Sequence, residues 1–197
     1  MRRLENLIWV LAAVALLSVL PVLAQRDRTE RSAQRGKAGQ DRITREVRHE
    51  LVMLPYYGVF DNLAYRVDGG IVTLMGQVTR PTLKSDAERS VKGIEGVEKV
   101  NNEIQVLPLS PMDDKIRIAE YRAIYGQPGL DRYALQAIPP IHIIAENGKV
   151  TLEGVVATQA DKDMAGVRAN TVSGVFSVTC CTGMGMCGCK RSARWLL

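Results

Sequence analysis

The sequence has no cysteine before Cys180, only two histidines and few aromatic residues. Without cysteines, a disulfide framework cannot hold together the chain before residue 180. The aromatic content of 5% implies small aliphatic cores and excludes an aromatic-rich ligand cage. The two histidines, His49 and His142, have no cysteine or serine partner at a recognisable spacing. The glycines near residues 70 and 148 precede strands, which is not the context of a phosphate-binding loop. We therefore expect no enzyme active site, no cofactor and no metal site in this region.

The formal net charge of +5 lies outside residues 41–179. That region holds 16 basic and 18 acidic residues, whereas residues 25–40 hold five basic and two acidic residues and residues 180–197 hold three basic residues. A folded nucleic-acid-binding module carries its basic residues on the fold itself, so we expect no nucleic acid partner. Residues 25–40 also lack any apolar period and predict a disordered basic linker. Its basic residues either stay solvated or touch anionic head groups.

The N-terminus has the pattern of an export signal. Arg2 and Arg3 precede an apolar segment that runs from Leu7 to Leu23, and Ala24 offers a cleavage site. This pattern predicts a secretory signal peptide over residues 1–24 and a periplasmic protein. The alternative is an uncleaved inner-membrane signal anchor, because the apolar segment is just long enough to span a bilayer.

Two short segments recur at an offset of 78 residues. Gly70-Ile-Val-Thr-Leu-Met-Gly76 corresponds to Gly148-Lys-Val-Thr-Leu-Glu-Gly154. The match extends without a gap over residues 70–101 and 148–179, with eleven identities in thirty-two positions. A fixed offset of this kind indicates a duplicated supersecondary unit.

The duplication predicts two small domains, at residues 41–107 and 113–179, joined by a linker at residues 108–112. Pro108 and Pro111 stiffen this linker, so we expect the domains to be separate beads without a merged core. Each domain is predicted to be α+β in the order αββαβ, with a three-stranded mixed sheet packed against two helices. The recurring structural positions are Gly70, Gly76, Gly96 and Val97 in the first repeat and Gly148, Gly154, Gly174 and Val175 in the second.

Local signals predict where several helices begin. Asp41 is expected to cap the first helix, which ends before Pro55. Arg80-Pro81 is expected to open the second helix, because proline is tolerated in a first turn. In the second repeat, Thr158 and Asp161 have the spacing of a capping box.

The repeated motif resembles a known family. Val72-Thr-Leu-x-Gly76-x-Val78, a helix and then Gly96-Val97-x-x-Val100-x-Asn102 are similar to the BON domain (bacterial OsmY and nodulation domain), and the second repeat shows the same pattern up to Val178. Tandem copies behind an export signal resemble the hyperosmotically inducible periplasmic type. The resemblance implies a non-enzymatic, transport-associated protein that binds anionic phospholipid and supports envelope integrity under osmotic stress. A protein-binding adaptor of the envelope, without lipid binding, is the alternative.

The first helix of the second repeat, at about residues 113–125, is apolar on more than one side. One side is defined by Ile116, Ala119 and Ala123, and another by Ile118, Tyr121 and Tyr125. The surplus either packs on the partner domain or faces a lipid or protein partner. The candidate lipid-binding residues are Tyr121, Arg122 and Tyr125, because aromatic rings and a cation suit the head-group level of a membrane.

The tail at residues 180–197 departs from the repeat. It holds all four cysteines, at Cys180, Cys181, Cys187 and Cys189, in a spacing that matches no standard zinc site. A frameshifted end, a soft-metal site and tail disulfides are the interpretations left open. We expect the third strand of the second domain to end after Val178, which leaves that domain incomplete.

Overall fold

The computed structural model describes residues 36–183 and 195–196. The predicted signal peptide, residues 25–35 of the predicted linker, and Cys187 and Cys189 lie outside these residues. Internal contacts divide the chain into two units, Met1–Arg42 and Ile43–Leu197. The sheets and cores described below belong to the second unit.

The described residues form five helices and eight strands. In chain order they are α1 (which includes residues 36–52), β1 (Asn62–Asp68), β2 (Ile71–Val78), α2 (Pro81–Lys92), β3 (Lys99–Asn102), β4 (Gln105–Val106), α3 (Pro111–Tyr125), α4 (Asp131–Ala134), β5 (Ile141–Glu146), β6 (Lys149–Val155), α5 (Gln159–Ala169), β7 (Ser177–Gly183) and β8 (Trp195–Leu196).

The first repeat forms the predicted α+β domain. β1 and β2 make an antiparallel hairpin, and β3 and β4 lie parallel to β2 on its other side. Alternate residues of the hairpin, such as Leu63 and Leu74, join the apolar faces of α1 and α2 in one core. As predicted, α2 begins with Pro81 in its first turn, and it buries Leu83, Ala87 and Val91.

The third strand of this domain is interrupted between β3 and β4. The side-chain amide of Asn102 donates to Lys84 O (2.9 Å) and Glu88 Oε2 (3.1 Å), and its oxygen accepts from Ile104 N (3.2 Å). These bonds turn the chain between β3 and β4. The turn places Ile104, which is 1% exposed, in the core.

The predicted start of α1 is wrong. Residues 36–40 are already helical, so Asp41 lies inside the helix and does not cap it. The apolar stripe that begins at Ile43 marks where the helix meets the core, and a polar helix can extend beyond its buried part. An apolar period therefore indicated the buried portion of α1, not its end.

The second repeat has the same topology with one added helical turn. β5 and β6 form an antiparallel hairpin, and β7 runs parallel to β6. α3 and α5 bury Ile116, Ile124 and Ala165 against this sheet, and α4 lies between α3 and β5 in the chain. The predicted capping box of α5 is confirmed, since Thr158 Oγ1 accepts from Asp161 N (3.1 Å) and Asp161 Oδ2 accepts from Thr158 N (3.2 Å).

The third strand of the second domain does not end after Val178. β7 continues to Gly183 and stays in register with β6, so that Cys180 lies opposite Leu152 and Gly183 opposite Val155. Backbone hydrogen bonds define a parallel ladder, and such a ladder does not depend on the side chains that the repeat would have predicted. Cys180 also packs against the second core, so the described part of the tail completes the domain.

The end of the chain adds a strand to the first domain. β8 pairs antiparallel with β1, with Leu196 opposite Ala64 and Trp195 opposite Tyr65. β8 thus covers part of an edge that β1 would otherwise leave unpaired.

The two domains are in contact and are not separate beads. Ile143 N in β5 donates to Val59 O (2.8 Å), which lies in the loop between α1 and β1. Val59 and Phe60 of the same loop pack against the core of the second domain. The stiff linker therefore does not hold the domains apart, because the loop before β1 supplies apolar side chains to the second core.

Candidate functional site

The first turn of α3 is fixed to the turn between β5 and β6. Ser110 caps the helix, and its Oγ accepts from Asp113 N (3.2 Å). The buried carboxylate of Asp113 accepts from Asn147 N (3.0 Å) and Gly148 N (2.9 Å). Burial opposes the charge of Asp113, but the hydrogen bonds from Gly148, Asn147 and Ser110 outweigh it and lower the pKa of this carboxyl. α3 is thus held in one orientation on the sheet.

The inner face of α3 belongs to the core, and it includes Tyr125. This side chain is 5% exposed, and its hydroxyl donates to Ile141 O (2.6 Å). Burial raises the pKa of Tyr125. The sequence placed Tyr125 at a membrane surface, but the structure places it among Ile116 and Ile124 in the second core. It cannot reach a head group without leaving that core.

Tyr121 and Arg122 have different surroundings. The Tyr121 ring is half-buried and lies edge-on to Phe60 of the first domain (6.4 Å between centroids) and tilted against Tyr125 (4.9 Å). Part of the apolar surplus of α3 therefore packs on the partner domain, which was one of the two predicted outcomes. Arg122 is exposed, so the structure separates it from the two tyrosines.

The outer face of α3 carries a different set of side chains. Met112, Lys115, Ile118 and Arg122 follow one another at three- and four-residue intervals and are all exposed. Ile118 is 48% exposed and Met112 is 62% exposed. We call these four residues the outer stripe of α3. It combines two apolar side chains with two cations. The sequence pattern indicated Ile118 and Arg122 but did not group them with Met112 and Lys115.

Arg117 and Glu120 are two buried ionisable residues of α3 that the sequence analysis did not single out. The guanidinium of Arg117 donates to Ala145 O (2.8 Å) and pairs with Asp114. Glu120 is 0% exposed, and neither carboxylate oxygen has a hydrogen-bond partner among the described residues. Burial raises the pKa of Glu120 to about 8. Glu120 lies four residues from both Ile116 and Ile124, and this spacing was the signal that it faces inward.

The two histidines lie in different domains. His142 is buried, and its ring stacks on Tyr57 of the loop before β1 (5.7 Å between centroids). Burial lowers the pKa of His142, and the backbone of Gly58 and Asp61 offsets this only in part. His49 lies on α1 and lines a shallow groove with Glu50 and the end of α2. Within the part of the chain that the structure describes, no three side chains are placed to hold a metal ion.

Comparison with known sequences decides the family. The sequence model of the BON domain matches residues 39–108 and residues 130–180, which together exceed half of the chain. The chain belongs to the BON domain family. The two matched segments coincide with the two repeats, although the second one begins after α3.

One curated relative is similar to part of the chain. The outer membrane lipoprotein DolP of Haemophilus influenzae is 33% identical over 111 residues, which are 55% of this chain and 55% of that protein. The match thus spans about half the length of that relative.

Two solved structures of CdsD, a structural protein of the type III secretion system of Chlamydia trachomatis, align with low similarity. One has a TM-score of 0.27 and 10% identity and covers 70% of this chain and 89% of that chain. The other, a C-terminal domain, has a TM-score of 0.25 and 12% identity over 68% and 93% of the two chains. These TM-scores support no argument about function.

α3 carries an exposed surface outside the two cores, the outer stripe. Among the residues that the structure describes, no helix is long and apolar enough to cross a membrane. The repeated glycines are structural, because Gly76 and Gly154 have positive φ values of 121° and 139° in the hairpins.

Proposed function

We propose that this BON-domain protein is a non-enzymatic, exported protein of the bacterial envelope that attaches to anionic phospholipid surfaces. The outer stripe of α3 is the observation that carries this proposal. In addition, the N-terminal residues have the pattern of a secretory signal, and the curated relative is named an outer membrane lipoprotein. A role in envelope integrity during osmotic stress fits such a protein and belongs to the same proposal.

The chemistry of the outer stripe suits a lipid head-group region. Ile118 lies three residues after Lys115 and four before Arg122, so both cations flank it on one face. An apolar side chain can enter the boundary between head groups and acyl chains while flanking cations stay at the anionic phosphates. Each cation contributes on the order of 1 kcal/mol near an anionic leaflet, so the expected attachment is weak and reversible.

Of the three residues first expected to bind lipid, we propose a direct contact for Arg122 alone. The ring of Tyr121 packs on Phe60 of the first domain. The hydroxyl of Tyr125 donates to Ile141 O and so attaches α3 to β5. Substitution of either tyrosine would disturb the fold as well as the surface. The outer stripe provides a cleaner test.

The proposal is tested by co-sedimentation with vesicles of mixed phosphatidylglycerol and phosphatidylcholine, with pure phosphatidylcholine as the reference. We expect binding to the anionic vesicles that weakens as salt is added. Lys115→Gln with Arg122→Gln removes about 2 kcal/mol, so the double variant should bind roughly thirtyfold more weakly. Ile118→Ser should weaken binding as well.

A matched control lies on α5 of the same domain, where Val167 is 64% exposed and Arg168 is also exposed. Arg168→Gln with Lys149→Gln on β6 removes two exposed cations outside α3, as a match for the Lys115/Arg122 double variant, and should leave vesicle binding unchanged. Val167→Ser, the match for Ile118→Ser, should also leave it unchanged. Equal loss in both double variants would mean that general charge, not the outer stripe, attaches the protein. No binding of the wild type to anionic vesicles would refute lipid attachment.

A protein-binding adaptor remains the second candidate function, and one observation favours it. Phe176 is 84% exposed and lies over the backbone of Gly148, at a position where the first repeat has Glu98. An exposed aromatic ring is a common anchor in protein interfaces. If Phe176→Ser abolishes capture of an envelope protein while vesicle binding is absent in the wild type, the adaptor function replaces lipid attachment.

A further inference from the structure

Glu120 is a carboxyl group enclosed by the core of the second BON domain. It is 0% exposed, and both of its oxygens lack a hydrogen-bond partner among the described residues. Ile116 and Ile124, four residues before and after it, are core residues. An ionised carboxylate without a partner is strongly disfavoured in such surroundings, so the group remains neutral by keeping its proton.

Among the described residues, no charged side chain of α3 or β5 forms a hydrogen bond with Glu120. On α3, Arg117 is committed to Asp114 and Ala145 O, and Asp113 is committed to the hairpin turn. β5 contributes Ile141, Ile143 and Ala145 to the core that encloses Glu120. Its titratable residues lie elsewhere: His142 stacks on Tyr57, and Glu146 is exposed at the end of the strand.

The charges of α4 and α5 are also directed elsewhere. Arg132 and Tyr133 both donate to Asp161 Oδ2, so these three side chains bond to one another. Asp163 accepts from Gln159 (2.8 Å), and Arg168 is exposed. None of these groups, nor Lys162, contributes to the raised pKa of Glu120, for which burial is the whole cause.

We propose that the packing of α3 on the second BON domain is coupled to one proton. Glu120 carries this proton while the helix is packed and releases it to solvent when the helix lifts away from the sheet. α3 is therefore held more firmly near pH 5 than at neutral or alkaline pH. This coupling does not depend on lipid attachment.

The direction follows from the pKa of the two states. In the lifted helix, Glu120 is solvated and has its ordinary pKa of 4.5, whereas in the packed helix the pKa is about 8. Between these values the packed state binds more protons than the lifted state, so packing weakens as the pH rises. The equilibrium constant for lifting should increase about tenfold per pH unit over this window and level off above pH 8.

Hydrogen exchange of the full chain measures this constant directly. We expect the protection of amides 116–125, corrected for the intrinsic pH dependence of exchange, to fall about a hundredfold between pH 5.5 and pH 7.5. Glu120→Gln keeps the shape of the side chain without the titration, and its protection should not fall over this range. Glu146→Gln is the matched control on an exposed carboxylate and should keep the wild-type dependence.

His142 acts in the opposite direction in the same pH range, because its lowered pKa favours the packed state at higher pH. His142 contributes equally to the pH dependence of protection in the wild type and in Glu120→Gln, so its contribution cancels when the two are subtracted. If the Gln variant does not fold, Glu120→Leu provides the same comparison with an apolar side chain. A wild-type α3 without pH dependence, or an equal dependence in a folded Glu120 variant, would overturn the proposal.

Discussion

At the scale of single residues, the glycine that closes each repeated motif is the most constrained position. Gly76 and Gly154 have positive φ values of 121° and 139°. A Cβ atom at Gly76 would collide with Asn62 O, and one at Gly154 would collide with Pro140 O. The partner strand thus approaches the backbone too closely for any side chain. The same residue recurs in both repeats because the hairpin has the same geometry in both.

This geometry predicts a large effect of a single methyl group. Gly154→Ala should lower the free energy of unfolding by about 2 kcal/mol or more, because it combines left-handed backbone strain with the collision. Gly58→Ala is the control, since a Cβ there meets no atom within 4 Å. Urea denaturation followed by circular dichroism measures both. A Gly154→Ala variant as stable as Gly58→Ala would contradict the hairpin geometry.

At the scale of elements, α5 and β7 fit each other through a pair of small residues. Cys180 lies in β7, and a Cβ on Gly166 of α5 would come within 2.9 Å of its Sγ. The first repeat has Glu88 and Asn102 at these two positions, joined there by a hydrogen bond of 3.1 Å. Both members of the pair therefore differ together between the repeats. Cys180 therefore occupies the space that the absence of a side chain at Gly166 leaves.

The fit of α5 and β7 predicts the sign of a substitution. In an exposed helix, Gly→Ala stabilises by about 0.5–1 kcal/mol. Here Gly166→Ala should instead destabilise the domain, because Cys180 must move. Adding Cys180→Ala makes room, so the double variant should be more stable than Gly166→Ala alone. Thermal denaturation measures this cycle. A stabilising Gly166→Ala would mean that β7 does not reach Cys180.

Sequence signals predicted the elements whose determinants are local. Arg80-Pro81 opens α2, and Thr158 and Asp161 cap α5. The sequence did not predict the extension of β7, because strand pairing depends on the backbone of β6 and not on the identity of Cys180. Nor did the sequence distinguish the buried Tyr125 from the exposed Arg122. Two sides of α3 are apolar, and the sequence alone does not show which of them packs on the sheet.

At the scale of the whole second unit, the loop before β1 joins the two BON domains. Val59 O accepts a backbone hydrogen bond from β5, and Tyr57 stacks on the buried ring of His142. Phe60 extends the contact to Tyr121 of α3. The element with the proposed binding surface is therefore supported by both domains. The prolines of the linker at residues 108–112 do not keep the domains apart, because the loop before β1 makes the contact between them.

His142 makes this contact sensitive to acid. Burial lowers the pKa of His142, so the folded state binds fewer protons than the unfolded state below the ordinary pKa of 6.5, and stability is lost as the pH falls from there. In a Glu120→Gln background, which removes the opposing titration of Glu120, His142→Phe retains a stacking ring without titration and should reduce this loss, measured as the change in Tm between pH 7 and pH 5. His49→Gln, on the surface of α1, is the control and should behave as the wild type does. An unchanged loss in His142→Phe would exclude His142 as its cause.

Lipid attachment of the proposed kind requires that the outer stripe of α3 touches the membrane. An environment-sensitive fluorophore on Ile118→Cys, with the four native cysteines replaced by serine, reports this contact directly. When phosphatidylglycerol vesicles are added, the emission at position 118 should shift to the blue, whereas the same label on Val167→Cys of α5 should not shift. A shift at position 167 alone, or at neither position while the protein co-sediments with the vesicles, would contradict attachment through α3.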